Sequence, residues 1–299
     1  MNNQSYLMGL IGEGVRPSLT PPMHEQEALA HNLRFVYRPI DLTELHKPAS
    51  AVGELLTAGA ALGFNAFNVT HPCKQVVLDY LDAIDPAAQR LQACNTVLIQ
   101  DGKLTGYNTD RSGFASALAL ELPDADFEDV VLLGAGGAGS AVADALIGAG
   151  VQRLSIIDPQ PQRAEALAHQ LQHALPGGAT GNIRVGDSTQ ARQWIPVATG
   201  LVNASPIGMF SHPGLPVDAD VLHPGLWVAD IVYRPAVTEL IAQAAALGCA
   251  VMPGKAMAVG QAADTFELVT GRTPDRTRMY AHLNELVARE QQGQMKEPS

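Results

Sequence analysis

The stretch Val130-Val131-Leu132-Leu133-Gly134-Ala135-Gly136-Gly137-Ala138-Gly139 decides the fold. Four apolar residues read as a buried strand, glycines in a Gly-x-Gly-x-x-Gly spacing follow at once, and an alanine-rich run then reads as a helix reaching about Gly150. Such glycines permit a tight turn and let backbone N–H groups approach an anion, whose charge the helix N-terminus favours. The next apolar strand, Leu154-Ser155-Ile156-Ile157, ends at Asp158, 19 residues after Gly139. An acid at that corner can accept both hydroxyls of an adenosine ribose and repels a 2′-phosphate. Gly134, Ala135, Gly136, Gly137, Ala138, Gly139 and Asp158 therefore read as a dinucleotide cradle that prefers NAD to NADP. Arg163 is the counter-indication, since an arginine here can meet a 2′-phosphate; in the first turns of a polar-faced helix it reads as solvated or packed on the adenine.

Outward from this unit, strand and helix patterns keep alternating through Leu201-Val202-Asn203 and Trp227-Val228-Ala229-Asp230-Ile231-Val232, which implies a parallel sheet covered on both faces. Upstream, Tyr6 to Ile11, Phe35 to Tyr37 and Phe64 to Val69 read as strands of a first α/β unit, separated from the second by the turn-rich Pro123 to Asp129. After Gly254 the pattern turns helical, with a second helix near Arg276 to Arg289 and a polar tail, Gln291 to Ser299, expected to fray. The expected fold class is thus α/β with two domains. Residues 1–110 with 256–299 form a substrate domain completed by C-terminal helices, and 111–255 form a Rossmann dinucleotide-binding domain. A cleft between two domains also suits the 299-residue length.

The balance of 19 basic against 30 acidic residues, a formal net charge of -11, disfavours nucleic acid and anionic membranes as partners. A small ligand bound by local dipoles and hydroxyls is expected instead. Cys73, Cys94 and Cys249 show no metal or disulfide spacing and read as buried hydrophobes in a reducing cytoplasm. No metal is expected, and the i,i+4 pair His169 and His173 reads as solvated. The N-terminus lacks the pattern of a signal peptide, and no run of about 18 apolar residues is present. The expected location is cytoplasmic, the expected state monomer or homodimer.

A dinucleotide domain does not say what is oxidised. Asn68-Val69-Thr70-His71-Pro72-Cys73-Lys74, Ala93-Cys94-Asn95-Thr96-Val97 and Gly106-Tyr107-Asn108-Thr109-Asp110 each read as small polar side chains just beyond a strand, where α/β folds bind ligands. With Ser18-Leu19-Thr20-Pro21, Asn203-Ala204-Ser205-Pro206-Ile207-Gly208-Met209, Asp230 to Pro235 and Gly254 to Gln261, they occur in the order in which the chain resembles the shikimate dehydrogenase family, most of all its quinate/shikimate branch. The resemblance runs from Leu7 to about Gly271. It implies that Lys74 and Asp110 are the catalytic pair, Lys74 taking the proton of a ring hydroxyl as hydride leaves the carbon. It also implies that Ser18 and Thr20 bind the substrate carboxylate, and that Thr70, Asn95, Tyr233 and Gln261 contact carboxylate or ring hydroxyls. Asn203, Ala204, Ser205, Pro206 and Val232 would border the cofactor, with Gly254 and Met257 near the nicotinamide; for Met257, plain helix packing is an equal alternative. His71 reads as a strand-end residue rather than the base.

Three departures from the family pattern matter. Ser18-Leu19-Thr20 replaces the Ser-x-Ser of shikimate-specific members, a one-methyl change worth at most about 1–3 kcal/mol of discrimination and shared with quinate-using relatives. Gly12-Glu13-Gly14-Val15-Arg16 replaces a Gly-x-Pro approach, and Asp158 stands where NADP-using members carry an Asn-Arg-Thr type of sequence. The expectation is NAD-linked oxidation of shikimate, quinate or both, in a catabolic role. The alternatives are the same chemistry on another hydroxylated ring acid, and an NAD(H)-binding sensor with little turnover.

Overall fold

The apolar runs become the strands of two sheets, one in each of two compact units. The structure, a computed structural model, describes residues 4–174 and 182–294. One unit comprises Met1–Thr109 with Gln261–Ser299, the other Asp110–Gly260. The tail 291–299 lies outside the described residues except for the backbone of 291–294, and so does the side chain of His173. No helix among the described residues is long and apolar enough to cross a membrane.

In the first unit the strands are β1 (Ser5–Gly12), β2 (Arg34–Asp41), β3 (Ala66–Val69), β4 (Ala83–Ile84), β5 (Thr96–Gln100) and β6 (Lys103–Tyr107). Their order is β2-β1-β3-β5-β6-β4. β1 runs parallel to β2 and β3, whereas β5 is antiparallel to both β3 and β6. Asp101 and Gly102 close the β5–β6 hairpin with φ of 50° and 76°, the two positive angles that match the strands' twist. Alternation along the strands feeds Met8, Leu10, Ala66 and Leu98 to one core. The opposite face gives Ile11, Phe67, Val69 and Val97 to another, capped by Val52 and Leu56 from the helix Val52–Ala61. Full burial of each large side chain contributes about 1.5–3 kcal/mol. The C-terminal helix Arg276–Gln294 is tied to the helix Thr20–Ala30 by Glu27, which is 1% exposed and accepts from Arg278 Nη2 (2.6 Å), Arg278 Nε (2.8 Å) and Asp275 N–H (2.8 Å).

The second unit contains β7 (Asp129–Leu133), β8 (Arg153–Ile157), β9 (Asn182–Gly186), β10 (Gly200–Asn203), β11 (Trp227–Asp230) and β12 (Ala250–Met252), in the order β12-β11-β10-β7-β8-β9. All neighbours are parallel. The chain runs outward from β7 to β9, then returns to β10 on the other side of β7. This is the doubly wound Rossmann order, with its switch point between β7 and β10. Val130, Val131 and Leu132 are fully buried, as a strand covered by helices on both faces requires. Edge strands β9 and β12 are partly exposed and lack a fully buried apolar run, so their sequences carry too weak a signal to be read.

Candidate active site

At the switch point the chain leaves β7 through Gly134, whose φ of +99° suits glycine and whose N–H donates to the Ile157 carbonyl (2.7 Å). A β-carbon at Gly134 would lie 2.8 Å from the Ala204 carbonyl oxygen, and one at Gly139 would collide with the carbonyl of Gly134 itself. The loop after β7 is therefore packed closely on the loop after β10. In front of Gly136 and Gly137 the space is open, and the helix Gly137–Gly148 begins with no side-chain cap on its first N–H groups. A helix N-terminus left open in this way has the dipole and N–H groups that favour negative charge.

Asp158 follows β8 at the same sheet edge and is 6% exposed. Its Oδ2 accepts from Ala135 N–H (2.8 Å) and its Oδ1 from Gln160 N–H (2.9 Å). It is not a merely solvated helix cap: the carboxylate shapes the glycine loop. A carboxylate has about four acceptor positions, so capacity for ribose hydroxyls remains. Arg163 is exposed near the start of the helix Pro161–Ala174.

Beyond β10, Asn203 is fully buried; its Oδ1 accepts from Ser205 N–H (3.1 Å) and Ser205 Oγ (2.6 Å), and its Nδ2 donates to the Ile207 carbonyl (3.0 Å). Ala204 and Ser205 are half-buried and Pro206 is exposed. Val232 is buried, and Gly254 brings the start of the helix Gly254–Thr270 against the Val232 carbonyl, where a β-carbon would not fit. Met257 is buried and Tyr233 half-buried. Asp110 is buried in the first turn of the helix Thr109–Glu121, and the next residue, Arg111, pairs with buried Asp144 of the helix Gly137–Gly148.

In the first unit, the hairpin explains why Asn95 precedes a strand instead of following one. β5 runs against β3, so the residues before β5 reach the edge at which β1, β3 and β6 end. Thr70 leaves β3 with its N–H on the Ile11 carbonyl (2.9 Å), and the Lys74 carbonyl accepts Cys94 N–H (2.8 Å), tying the short helix Cys73–Val76 to the segment holding Asn95. Lys74 is half-buried and His71 exposed. Ser18 and Thr20 are half-buried; Thr20 N–H donates to Ser18 Oγ (3.3 Å) at the start of the helix Thr20–Ala30. Gln261 is half-buried and opens the C-terminal part of this unit.

A belt of buried neutral groups lies behind these residues. Asn95 Oδ1 accepts Thr109 N–H (2.8 Å) and Thr96 Oγ1 (3.1 Å), while its Nδ2 donates to Thr109 Oγ1 (3.0 Å). Thr265 Oγ1 lies 3.1 Å from Thr109 Oγ1 and 3.3 Å from Thr96 Oγ1. Asn68 Nδ2 donates to Thr96 Oγ1 (2.9 Å) and to the Asn95 carbonyl (3.1 Å), and Asn68 Oδ1 accepts the Tyr37 hydroxyl. The sequence places Asn68, Thr96 and Thr109 in motifs and Tyr37 in a strand without assigning them this role, and it offers no sign of Thr265. Their contacts join residues up to 197 positions apart, and no local pattern reveals such partners.

Two further strand-end aspartates hold loops, Asp41, which the motifs do not include, and Asp230, which they name without a role. Asp41, at the end of β2, accepts from Gly14 N–H (3.0 Å), Thr43 N–H (3.0 Å) and Arg16 N–H (3.3 Å), which holds the approach to Ser18. Desolvation works to raise its carboxyl, but the backbone donors outweigh that and hold it below the usual range. Asp230 does the same work at the end of β11. For Asp230 an acid ending the apolar run Trp227-Val228-Ala229 is the available signal; Asp41 follows Arg38-Pro39-Ile40 and has none. Among the described residues, no group of three or more His, Cys, Asp or Glu side chains is arranged to hold a metal ion, and the three cysteines are free and buried.

Comparison with known proteins agrees with this architecture. Residues 10–97 match the family model for the shikimate dehydrogenase substrate binding domain. A shikimate dehydrogenase (NADP(+)) of Arthrobacter sp. (strain FB24) is 53% identical over 288 residues, 96% of this chain and 97% of that one. The chain belongs to the shikimate dehydrogenase family. A second family member, the quinate/shikimate dehydrogenase (NAD(+)) of Corynebacterium efficiens, is 46% identical over 94% of this chain and 98% of its own. Among solved structures, the quinate dehydrogenase from Corynebacterium glutamicum in complex with NAD superposes with a TM-score of 0.89 at 44% identity, covering 95% of this chain and all of that one. Shikimate dehydrogenase family members of both cofactor types are thus similar to it over nearly their whole length.

Proposed function

We propose that this protein is a nicotinamide-dinucleotide-dependent dehydrogenase that oxidises shikimate, quinate or both, and that NAD is its preferred dinucleotide. Membership of the family supports the reaction class. The preference rests on one observation, the carboxylate of Asp158 at the end of β8, held against the glycine loop by Ala135 N–H (2.8 Å). A 2′-phosphate brought to that corner meets a fixed negative charge, whereas ribose hydroxyls find acceptors. The open space before Gly136 and Gly137 and the uncapped helix start fit a pyrophosphate, with Asn203 to Pro206, Val232, Gly254 and Met257 bordering the rest. On this reading the second unit holds the dinucleotide, and the first carries Ser18, Thr20, Thr70, Lys74, Asn95 and Gln261.

A dinucleotide held there would supply the acceptor for the hydride of the carbinol carbon. Lys74 Nζ takes the hydroxyl proton, so that the carbinol becomes a ketone, and Asp110 shares the hydrogen bond of that hydroxyl. Ser18 and Thr20 hold the carboxylate, and Thr70, Asn95, Tyr233 and Gln261 sort the ring hydroxyls. Asn95 does so as a donor, because both acceptor positions of its Oδ1 are taken within the belt. A buried polar group left without its partner penalises a wrong ring isomer.

The test is an absorbance assay at the NADH band with shikimate and quinate, each against NAD and NADP. Turnover of at least one acid, faster with NAD, is expected. No turnover of either acid defeats the reading of the reaction; faster turnover with NADP, as the name of the Arthrobacter relative suggests, defeats the cofactor preference alone.

A further inference from the structure

Asp230 is the last residue of β11 and is completely buried. Its Oδ1 accepts from Asn203 Nδ2 (3.0 Å) and Val232 N–H (2.9 Å), and its Oδ2 accepts from Thr238 Oγ1 (2.7 Å). Asn203 in turn fixes Ser205 and Ile207, and Thr238 caps the helix Glu239–Ala246. One carboxylate thereby sets the backbone of two loops, 203–207 and 230–238, at the ligand-binding edge of the sheet. Its geometry repeats that of Asp158. Each aspartate takes the N–H two residues on in its own chain, Gln160 or Val232, and each reaches across to the loop of the neighbouring strand, Ala135 or Asn203.

Burying an ionised carboxylate costs several kcal/mol unless converging donors offset it. Desolvation accordingly pushes the Asp230 carboxyl up to about 6, against the pull of Thr238, Val232 and Asn203. A helix cap alone would be served by Thr238 without any buried charge. What the carboxylate adds is an acceptor for three donors from two loops at once, which no neutral side chain of its size supplies.

We propose that Asp230 is a positioning residue for the dinucleotide: it holds the loops after β10 and β11 in the conformation that receives the nicotinamide half. This rests on the reading above that this sheet edge binds a dinucleotide. Asp230 itself is enclosed and acts through Asn203, Ser205 and Val232.

The experiment compares wild type, Asp230→Asn, Asp230→Ala and Thr238→Val in the full chain. NADH and NADPH affinity is measured by fluorescence titration at a temperature where each variant is folded, alongside kcat, KM and thermal unfolding. Asp230→Ala leaves buried donors unpaired and is expected to raise the Kd and KM of the dinucleotide about tenfold or more. Asp230→Asn keeps Oδ1 for Asn203 and Val232 and presents an amide to Thr238 Oγ1, so affinity within about threefold of wild type is expected. Thr238→Val removes one partner of three and is expected to fall between them, which keeps the test decisive if Asp230→Ala does not fold. A purely structural role predicts lower unfolding temperatures with unchanged Kd in every folded variant; that result overturns the proposal. Wild type binding neither dinucleotide overturns the cofactor reading and this inference with it, whereas tight wild-type binding that no variant alters overturns this inference alone.

Discussion

Two devices hold the loops of this protein, and they differ in charge. The first unit backs its site with the neutral belt of Asn68, Asn95, Thr96, Thr109 and Thr265, in which side chains bond to side chains. In the second, two carboxylates collect the donors: Asp158 takes the backbone N–H groups of Ala135 and Gln160, and Asp230 takes Val232 N–H with the side chains of Asn203 and Thr238. The difference follows from what each edge must offer a ligand. A pyrophosphate is met by backbone N–H groups, which are set in place by acceptors behind them, and a carboxylate is the strongest such acceptor. A polyhydroxylated ring must be met by hydroxyls and amides of fixed orientation, and a neutral network fixes them without placing a second charge beside the substrate carboxylate. Asp41 marks the exception, a carboxylate clamp in the first unit, and it too holds backbone N–H groups, in the approach to Ser18.

Substitutions on either side break or sharpen this contrast. The largest effect is expected at the proposed base: Lys74→Ala should lower kcat about a thousandfold while NADH and ring-acid affinities stay near wild type, and a near-normal rate would show that the proton goes elsewhere. Next is Asp158→Ala, which removes both the ribose acceptor and the Ala135 tie. NAD affinity should fall about thirtyfold or more in a titration and the preference over NADP should disappear. An unchanged NAD-to-NADP ratio would mean that Asp158 serves the loop only.

The neutral side is probed through His24, which backs the belt's Tyr37 edge-on at 5.2 Å and is completely buried. Burial lowers its pKa to about 4, against the weaker opposite pull of the Thr20 carbonyl. The folded chain therefore leaves this imidazole neutral, while the unfolded chain protonates it near its ordinary 6.5. The sign follows: His24's contribution to stability is complete above about pH 6.5 and is lost as pH falls toward 4, up to about 3 kcal/mol. Denaturant titrations from pH 7 to pH 4 should show a slope that His24→Leu flattens; an equal slope in both proteins would place the titration on other groups. The smallest effect is expected for Thr265→Val, which leaves hydroxyls of the belt short of a partner. It should cost about 1–2 kcal/mol of stability and lower kcat/KM for the ring acid, with NADH affinity unchanged. A loss of NADH affinity instead would erase the division between the two devices.

What the sequence determined by itself is what local periodicity and short spacings encode. The β7 run, the glycine spacing and the acid after β8 specify a strand, a tight turn, an open helix start and an anion site within some 30 residues, because each requirement is met by near neighbours. The motif order was equally legible, and with it the family. The Asp101-Gly102 hairpin was written in the sequence too, yet went unread, so that Asn95 was taken to follow a strand when it precedes one. Only the tertiary structure decided how the loops are held. Asp158 reaching back to Ala135 and Asp230 reaching across to Asn203 join the ends of strands adjacent in a sheet but distant in the chain, and Thr265 brings a helix 197 residues on to the belt begun at Asn68. Buried donors must find acceptors wherever the fold brings them together, and sheet order, which no local pattern carries, sets which acceptors those are.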